Sequence, residues 1–161
     1  MLDTIFRIGN GVDVHPLVDG RKLILGGIYI DHNSGCEGHS DGDVLVHSIM
    51  DSLLGAMNKG DIGEFFPSSD DRYKDADSLA LLDEIILLMN KDCWKVINID
   101  ATIILQTPKL KPYIKNMKDN FPPDWNLSIK ATTTADKLVH DMGHNLPNIL
   151  RTIYNTDRIR M

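Results

Sequence analysis

From Asp43 onward the chain carries Val44, Leu45, Val46, Ile49, Met50, Leu53 and Leu54 at helical spacing. This broad apolar surface is the strongest constraint on the fold, because a helix so marked has to be covered by other elements. The remaining segments supply that cover. Arg7 to His15 reads as a strand entering a turn at Pro16, and Lys22 to Ile30 as strands around Gly26 and Gly27. Asn98 to Gln106 reads as a strand with Ile99, Ala101, Ile103 and Leu105 on one side, and Asn126 to Ala131 as another. Asp77 or Ser78 caps a second long helix with Leu79, Leu82, Ile85, Ile86 and Met89 on its buried face, and Pro112 starts a short one. Between the two long helices, Asn58 to Asp77 is too rich in Gly, Pro, Ser and Asp to be regular throughout. The alternation predicts an α/β (α+β) fold: a single domain over residues 1–161, with a mixed β-sheet and helices packed on one face.

Composition narrows the function. With 161 residues and 42% hydrophobic content there is room for one domain with a real core, and no apolar run is long enough to span a membrane. A soluble protein is expected. The net charge is −6, and Lys and Arg form no cluster with interleaved aromatics, which argues against nucleic acid as a partner. An anionic small molecule fits if metals and local amides neutralise it. The start, Met1 to Arg7, lacks a basic region followed by an apolar stretch. A cytoplasmic location is therefore expected, although a processed plastid-type protein would look the same. Cys36 and Cys93 belong to no CxxC pair and read as reduced thiols, with a ligand role for Cys36 the less favoured reading.

Asp13, His15 and His47 are the residue types that hold zinc while leaving a position open for chemistry. On a strand, positions two apart point the same way, so Asp13 and His15 can converge. His47 lies on the first long helix, with Asp43 one turn before and Asp51 one turn after. Either carboxylate can hold its second ring nitrogen. Ser40, Asp41 or Asp43 can cap that helix. Taken alone, a single Asp-x-His is more often part of a solvated turn. Gly60 to Pro67 offers backbone amides and the Asp61 carboxylate to a ligand, against an ordinary acidic turn. Lys130 to Thr134 ends a strand with three hydroxyls suited to phosphate, against the plain strand preference of threonine. His140 and His144 lack a third partner and read as surface residues.

Arg7 to His15, Gly26-Gly27, His39 to Asp43 with His47, Gly60 to Gly63, Phe66-Pro67, Gln106 to Lys109 and Lys130 to Thr134 occur in order along the chain. Together they resemble the 2-C-methyl-D-erythritol 2,4-cyclodiphosphate synthase family, the IspF family of non-mevalonate isoprenoid biosynthesis, from about Arg7 to Thr134. The resemblance implies a homotrimer around a central apolar cavity, with active sites between neighbouring subunits. It implies conversion of 4-diphosphocytidyl-2-C-methyl-D-erythritol 2-phosphate into the cyclic diphosphate, with release of CMP. By the same resemblance Asp13, His15 and His47 are zinc ligands, and His39 and Thr133 stabilise the transition state. Asp13, Val14 and His15, together with His39 and Ser40, contact substrate. Asp61, Ile62 and Gly63 match the segment against the methylerythritol part, and Phe66, Pro67, Ser68, Ser69 and Asp70 the loop beyond it. Leu105, Gln106, Thr107, Pro108, Lys109, Leu110 and Lys111 match the cytidine pocket of the adjacent subunit. Ala131, Thr132, Thr133 and Thr134 match the diphosphate contacts.

The chain departs from the family where a glutamate binds a second divalent ion, magnesium or manganese. Ala135 stands there, with Asp136, one residue on and shorter than glutamate, as the alternative carboxylate, so the ion's protein ligand stays open, and segment 135–161 is atypical. Ser68 replaces a usual acidic residue and Asn10 a usual histidine. Two alternatives stand beside the active synthase: a catalytically impaired relative that binds zinc and cytidine nucleotide, and a hydrolytic zinc enzyme needing a water-activating carboxylate.

Overall fold

In the computed structural model, which describes residues 5–133 and 155–160, the apolar stretch after Asp43 is a helix, α1 (Val44–Met57), buried at every residue except Asp51 and Gly55. Asp43 caps it, accepting hydrogen bonds from the backbone N–H groups of Leu45 and Val46, both at 3.1 Å. Asn58 ends it in the left-handed conformation. A helix buried all round serves as the centre of a domain.

The cover is a mixed four-stranded sheet in the order β1 (Phe6–Gly11), β8 (Asn155–Arg160), β6 (Lys95–Ile104), β7 (Leu127–Thr132). β8 runs antiparallel to both β1 and β6, whereas β6 and β7 are parallel. The parallel pair needs a crossover, and α4 (Ile114–Asp119) lies within it. Two small antiparallel pairs complete the strands: β2 (Leu17–Asp19) with β5 (Ser34–Cys36), and between them in sequence β3 (Leu23–Leu25) with β4 (Ile28–Ile30). α2 (Ile62–Phe65) and α3 (Ser78–Lys91) follow α1.

β1 comes unusually close to α1. A Cβ on Gly9 would fall 1.7 Å from the Ser52 carbonyl oxygen, and one on Gly11 would fall 1.9 Å from that of Ser48. Only glycine permits such an approach. The serines are small enough to face the strand, and their hydroxyls donate back to the carbonyls of Leu45 and Ile49 at 3.0 and 2.7 Å. From the sheet, Val96, Ile99, Ala101 and Ile103 of β6 join Leu81, Leu82, Ile85 and Met89 of α3 in one buried cluster with α1. Among the described residues, no helix is long and apolar enough to cross a membrane.

Several boundaries differ from the sequence reading, two of them by three residues or more. The first strand ends at Gly11 rather than His15, because its ladder partner β8 reaches only from Arg160, opposite Phe6, to Asn155, opposite Gly11. β6 begins at Lys95, three residues before the expected Asn98. A strand at residues 155–160 has no counterpart in the sequence reading. Its residues Asn155, Thr156, Asp157, Arg158, Ile159 and Arg160 lack the apolar alternation that marks a strand.

Candidate metal centre and substrate clefts

Past Gly11 the chain leaves the sheet and brings Asp13 and His15 beneath α1. Oδ2 of Asp13 lies 3.1 Å from His15 Nε2 and 2.9 Å from His47 Nδ1. Loop geometry, rather than strand alternation, makes the two early residues converge. The three ligand atoms lie within 4.8 Å of one another.

The far nitrogens decide what faces the centre. His15 Nδ1 is hydrogen-bonded to the Glu37 carbonyl, which can only accept, so Nδ1 carries the proton. His47 Nε2 lies 2.9 Å from Ser78 Oγ and 3.1 Å from Ser40 Oγ. Asp43 and Asp51, expected from helical spacing to hold this nitrogen, do not do so. Asp43 is turned to the helix N-terminus and accepts the Gly27 N–H at 2.6 Å, while Asp51 accepts the Ile62 N–H at 2.8 Å. With both far nitrogens engaged, the two near nitrogens point at the Asp13 oxygen, donating to it when the rings carry hydrogens there and offering lone pairs when a metal replaces those hydrogens. Such a cluster is satisfied only by protons or by a metal cation, so the donor set fits a divalent ion.

The charge state agrees. Burial alone would raise the Asp13 carboxyl, but hydrogen bonds with His15 and His47 outweigh it and hold the group far below the ordinary carboxylate range. The hydrogen bond to Asp13 raises His15 above 6.5 despite burial. Cys36 is fully buried in the core, and burial pushes its thiol up to about 12. It is a neutral packing residue outside the ligand cluster.

A cleft of about 290 Å³ opens over this centre. It is lined by Asp13, His15, His39, Ser40 and His47, and by Ile62, Gly63, Phe66 and Ser68 from the α2 segment. The sequence also predicts Val14, Asp61, Pro67, Ser69 and Asp70 here, and these lie beside the cleft rather than in its lining. Asp61 caps α2 through the Glu64 N–H at 3.1 Å, and Val14 is exposed. Asp70 caps the 3-10 turn Asp71–Tyr73 and forms an ion pair with Arg72, which holds its carboxyl below the ordinary range. Its carbonyl receives His39 Nε2 at 3.3 Å. Met50, Tyr73 and Leu81 line the cleft without having been predicted, because core-type residues carry no chemical signal.

A second cleft, of about 270 Å³, is lined by Leu105, Pro108, Lys109, Leu110 and Lys111 with Ala131, Thr132 and Thr133. The bond between Thr107 and Pro108 is cis. Gln106 and Thr107 flank the lining without forming part of it. The two linings share no residue, so within one chain His39 and Thr133 belong to different clefts. Thr134, Ala135, Asp136, His140 and His144 lie outside the described residues.

The model of the YgbB family matches residues 6–145. The chain is 53% identical over 135 residues to the 2-C-methyl-D-erythritol 2,4-cyclodiphosphate synthase of Prochlorococcus marinus strain MIT 9312, covering 80% of this chain and 81% of that one. It is 52% identical over 132 residues to the protein of the same name from Clostridioides difficile strain 630, covering 79% and 82%. Its structure is similar to the bifunctional IspDF of Campylobacter jejuni, with a TM-score of 0.85 and 33% identity, covering 98% of this chain and 43% of that longer one. It is also similar to the Plasmodium falciparum IspF in complex with CDP, with a TM-score of 0.71 and 31% identity, covering 96% and 94%.

Proposed function

We infer how the site works from the family it sits in: the chain belongs to the YgbB family, that of the 2-C-methyl-D-erythritol 2,4-cyclodiphosphate synthases. It converts 4-diphosphocytidyl-2-C-methyl-D-erythritol 2-phosphate into 2-C-methyl-D-erythritol 2,4-cyclodiphosphate and CMP. An oxygen of the 2-phosphate bonds to the β-phosphorus, and the bond from that phosphorus to the α-phosphate oxygen breaks as CMP leaves. Two anionic groups have to be held in line, so the protein's task is positioning and charge neutralisation.

Asp13, His15 and His47 hold zinc in our reading, and the observation that carries it is the convergence of their three ligand atoms. When bound, zinc supplies Lewis-acid neutralisation at a phosphate oxygen through the position its three protein ligands leave open. A second divalent ion, magnesium or manganese, would offset charge on the departing CMP phosphate. His39 and Ser40 face the reacting phosphates, and Asp61, Ile62 and Gly63 with residues 66–70 enclose the methylerythritol part. Residues 105–111 hold the cytidine, with Lys109 and Lys111 near its phosphates, and residues 131–134 bind the diphosphate through the threonine hydroxyls. His39 and Thr133 stabilise charge in the transition state.

The disjoint clefts support an active site completed by a neighbouring chain. β1 turns Phe6 and Ile8, 61% and 62% exposed, away from α1. We assign that apolar face to the interior of a homotrimer.

Purified protein given substrate should release CMP and cyclic product only with zinc plus magnesium or manganese. CDP binding without turnover would favour the impaired relative, which the synthase relatives do not favour. An acyclic product would favour a hydrolase.

A further inference from the structure

His47 is carried by α1, but its orientation is set from α3 and from the loop before α1. Ser78 is the first residue of α3 and has no exposed surface. Asp77 performs the capping, accepting the Leu79 N–H at 2.9 Å, which leaves the Ser78 hydroxyl for other work. That hydroxyl lies 2.5 Å from Asp41 Oδ1 and 2.9 Å from His47 Nε2. The Asp41 carboxylate is fixed by two further donors, the N–H of Ser78 at 3.0 Å on Oδ2 and the N–H of Asp43 at 3.0 Å on Oδ1.

The direction of the chain of hydrogen bonds follows from donor and acceptor capacity. An ionised carboxylate only accepts, so the single hydroxyl hydrogen of Ser78 goes to Asp41. The Ser78 oxygen then accepts from His47, which places the ring hydrogen on Nε2. That leaves Nδ1, 2.9 Å from Asp13 Oδ2, to offer its lone pair to a cation, which takes the place of the hydrogen the Asp13 carboxylate accepts there in metal-free protein. Ser40 Oγ, 3.1 Å from the same Nε2, has no carboxylate fixing its hydrogen among the contacts it makes.

We propose that Asp41 and Ser78 form a positioning relay that fixes the tautomer and ring plane of His47 and so aims Nδ1 at the ion held with Asp13 and His15. The proposal rests on the reading of those three residues as metal ligands. Helical spacing points to Asp43 and Asp51 for this role, and both are committed elsewhere. The relay also fastens the loop before α1 to the start of α3, so one buried hydroxyl orients a ligand and joins two elements.

The test compares wild type with Ser78→Ala and Ser78→Thr, using zinc affinity by chelator competition and the NMR resonances of the His47 Nε2–H group in zinc-loaded protein. Ser78→Ala should weaken zinc by about 10–100-fold and shift the His47 Nε2 hydrogen upfield as its acceptor is lost. Ser78→Thr keeps the hydroxyl and should recover most of both. A serine that merely fills space would lower thermal stability in the alanine variant without moving the Nε2–H resonances. Ser78→Ala with wild-type affinity and wild-type shifts overturns the relay. If that variant does not fold, the wild-type spectrum decides alone, since an Nε2 hydrogen that exchanges freely with water overturns the proposal and a hydrogen-bonded, protected one supports it. Failure of the metal reading is separate, because wild type would then bind no zinc.

Discussion

His47 Nδ1 lies 2.9 Å from Asp13 Oδ2, joining a helix to a loop 34 residues earlier in the chain. The same two atoms can share a ring hydrogen or, in its place, a metal ion held with His15. His47→Ala should therefore abolish zinc retention while α1 persists, since the helix is held by its apolar neighbours. Zinc content measured on dialysed protein, with circular dichroism as the control for folding, decides the matter. Unchanged metal stoichiometry would sink the ligand assignment.

The α1 helix is legible in sequence because seven apolar residues repeat at helical spacing, and β6 because Ile99, Ala101 and Ile103 alternate. Asp13, His15 and His47 are legible as a set because their residue types suit one chemistry. The partners of His47 are not. Ser78 lies 31 residues away and reads as a possible helix cap, and only tertiary packing turns its hydroxyl inward. β8 is hidden for a different reason: it gains its place by pairing on both edges rather than by an apolar pattern of its own.

Gly9→Ala should cost about 3 kcal/mol, the upper range for forcing atoms into a filled interface, since its Cβ would sit 1.7 Å from the Ser52 carbonyl oxygen. Gly55→Ala on the exposed side of α1 meets nothing within 4 Å. It should gain about 0.5 kcal/mol by restricting the unfolded chain. Chemical denaturation of both variants tests the contrast. Equal effects would mean that the close approach of β1 to α1 is absent in solution.

Asp43 is fully buried, and burial pushes its carboxyl up to about 6, against the hydrogen bonds from Gly27 and Gly26 that favour the ionised form. A carboxyl raised in the folded state binds its proton more tightly there than in the unfolded chain. Its contribution to stability is thus fully present below the unfolded value of 3.8 and is lost as pH rises through about 6. Asp43→Asn cannot titrate, and it turns an amide donor toward one of the N–H groups, costing about 1–3 kcal/mol. The difference in thermal midpoint between wild type and variant should change across that window. A constant difference from acid to neutral pH contradicts the assignment.

His15 at the metal centre follows the same sign in metal-free protein, and zinc competes with the proton it holds. His15 is raised above 6.5 by its hydrogen bond to Asp13, so the metal-free fold gains stability from the imidazolium below 6.5 and loses it as pH rises through the folded value. Zinc needs the neutral ring and must displace that proton. Affinity should already decline on the alkaline side of 6.5, by about tenfold per pH unit for each proton displaced. Asp13 stays ionised throughout, being held far below the ordinary carboxylate range. Chelator competition across pH reads the curve, and affinity that stays flat down to about pH 5 would contradict histidine ligation.

The separation of His39 and Thr133 into clefts with no shared residue leads to a test of assembly that needs no structure of the complex. In our reading, each active site takes His39 from one chain and Thr133 from its neighbour. His39→Ala and Thr133→Ala should each be nearly inactive alone, since a group stabilising developing charge is worth about a hundredfold or more in rate. Mixed by co-expression, some interfaces would pair an intact His39 with an intact Thr133 from the other variant, and CMP release should return to a substantial fraction of wild type. Sites contained within single chains would each keep one lesion, and mixing would restore nothing. Activity in the mixture therefore separates a shared site from a self-contained one, and light scattering on the same sample reports whether the active species is the expected trimer.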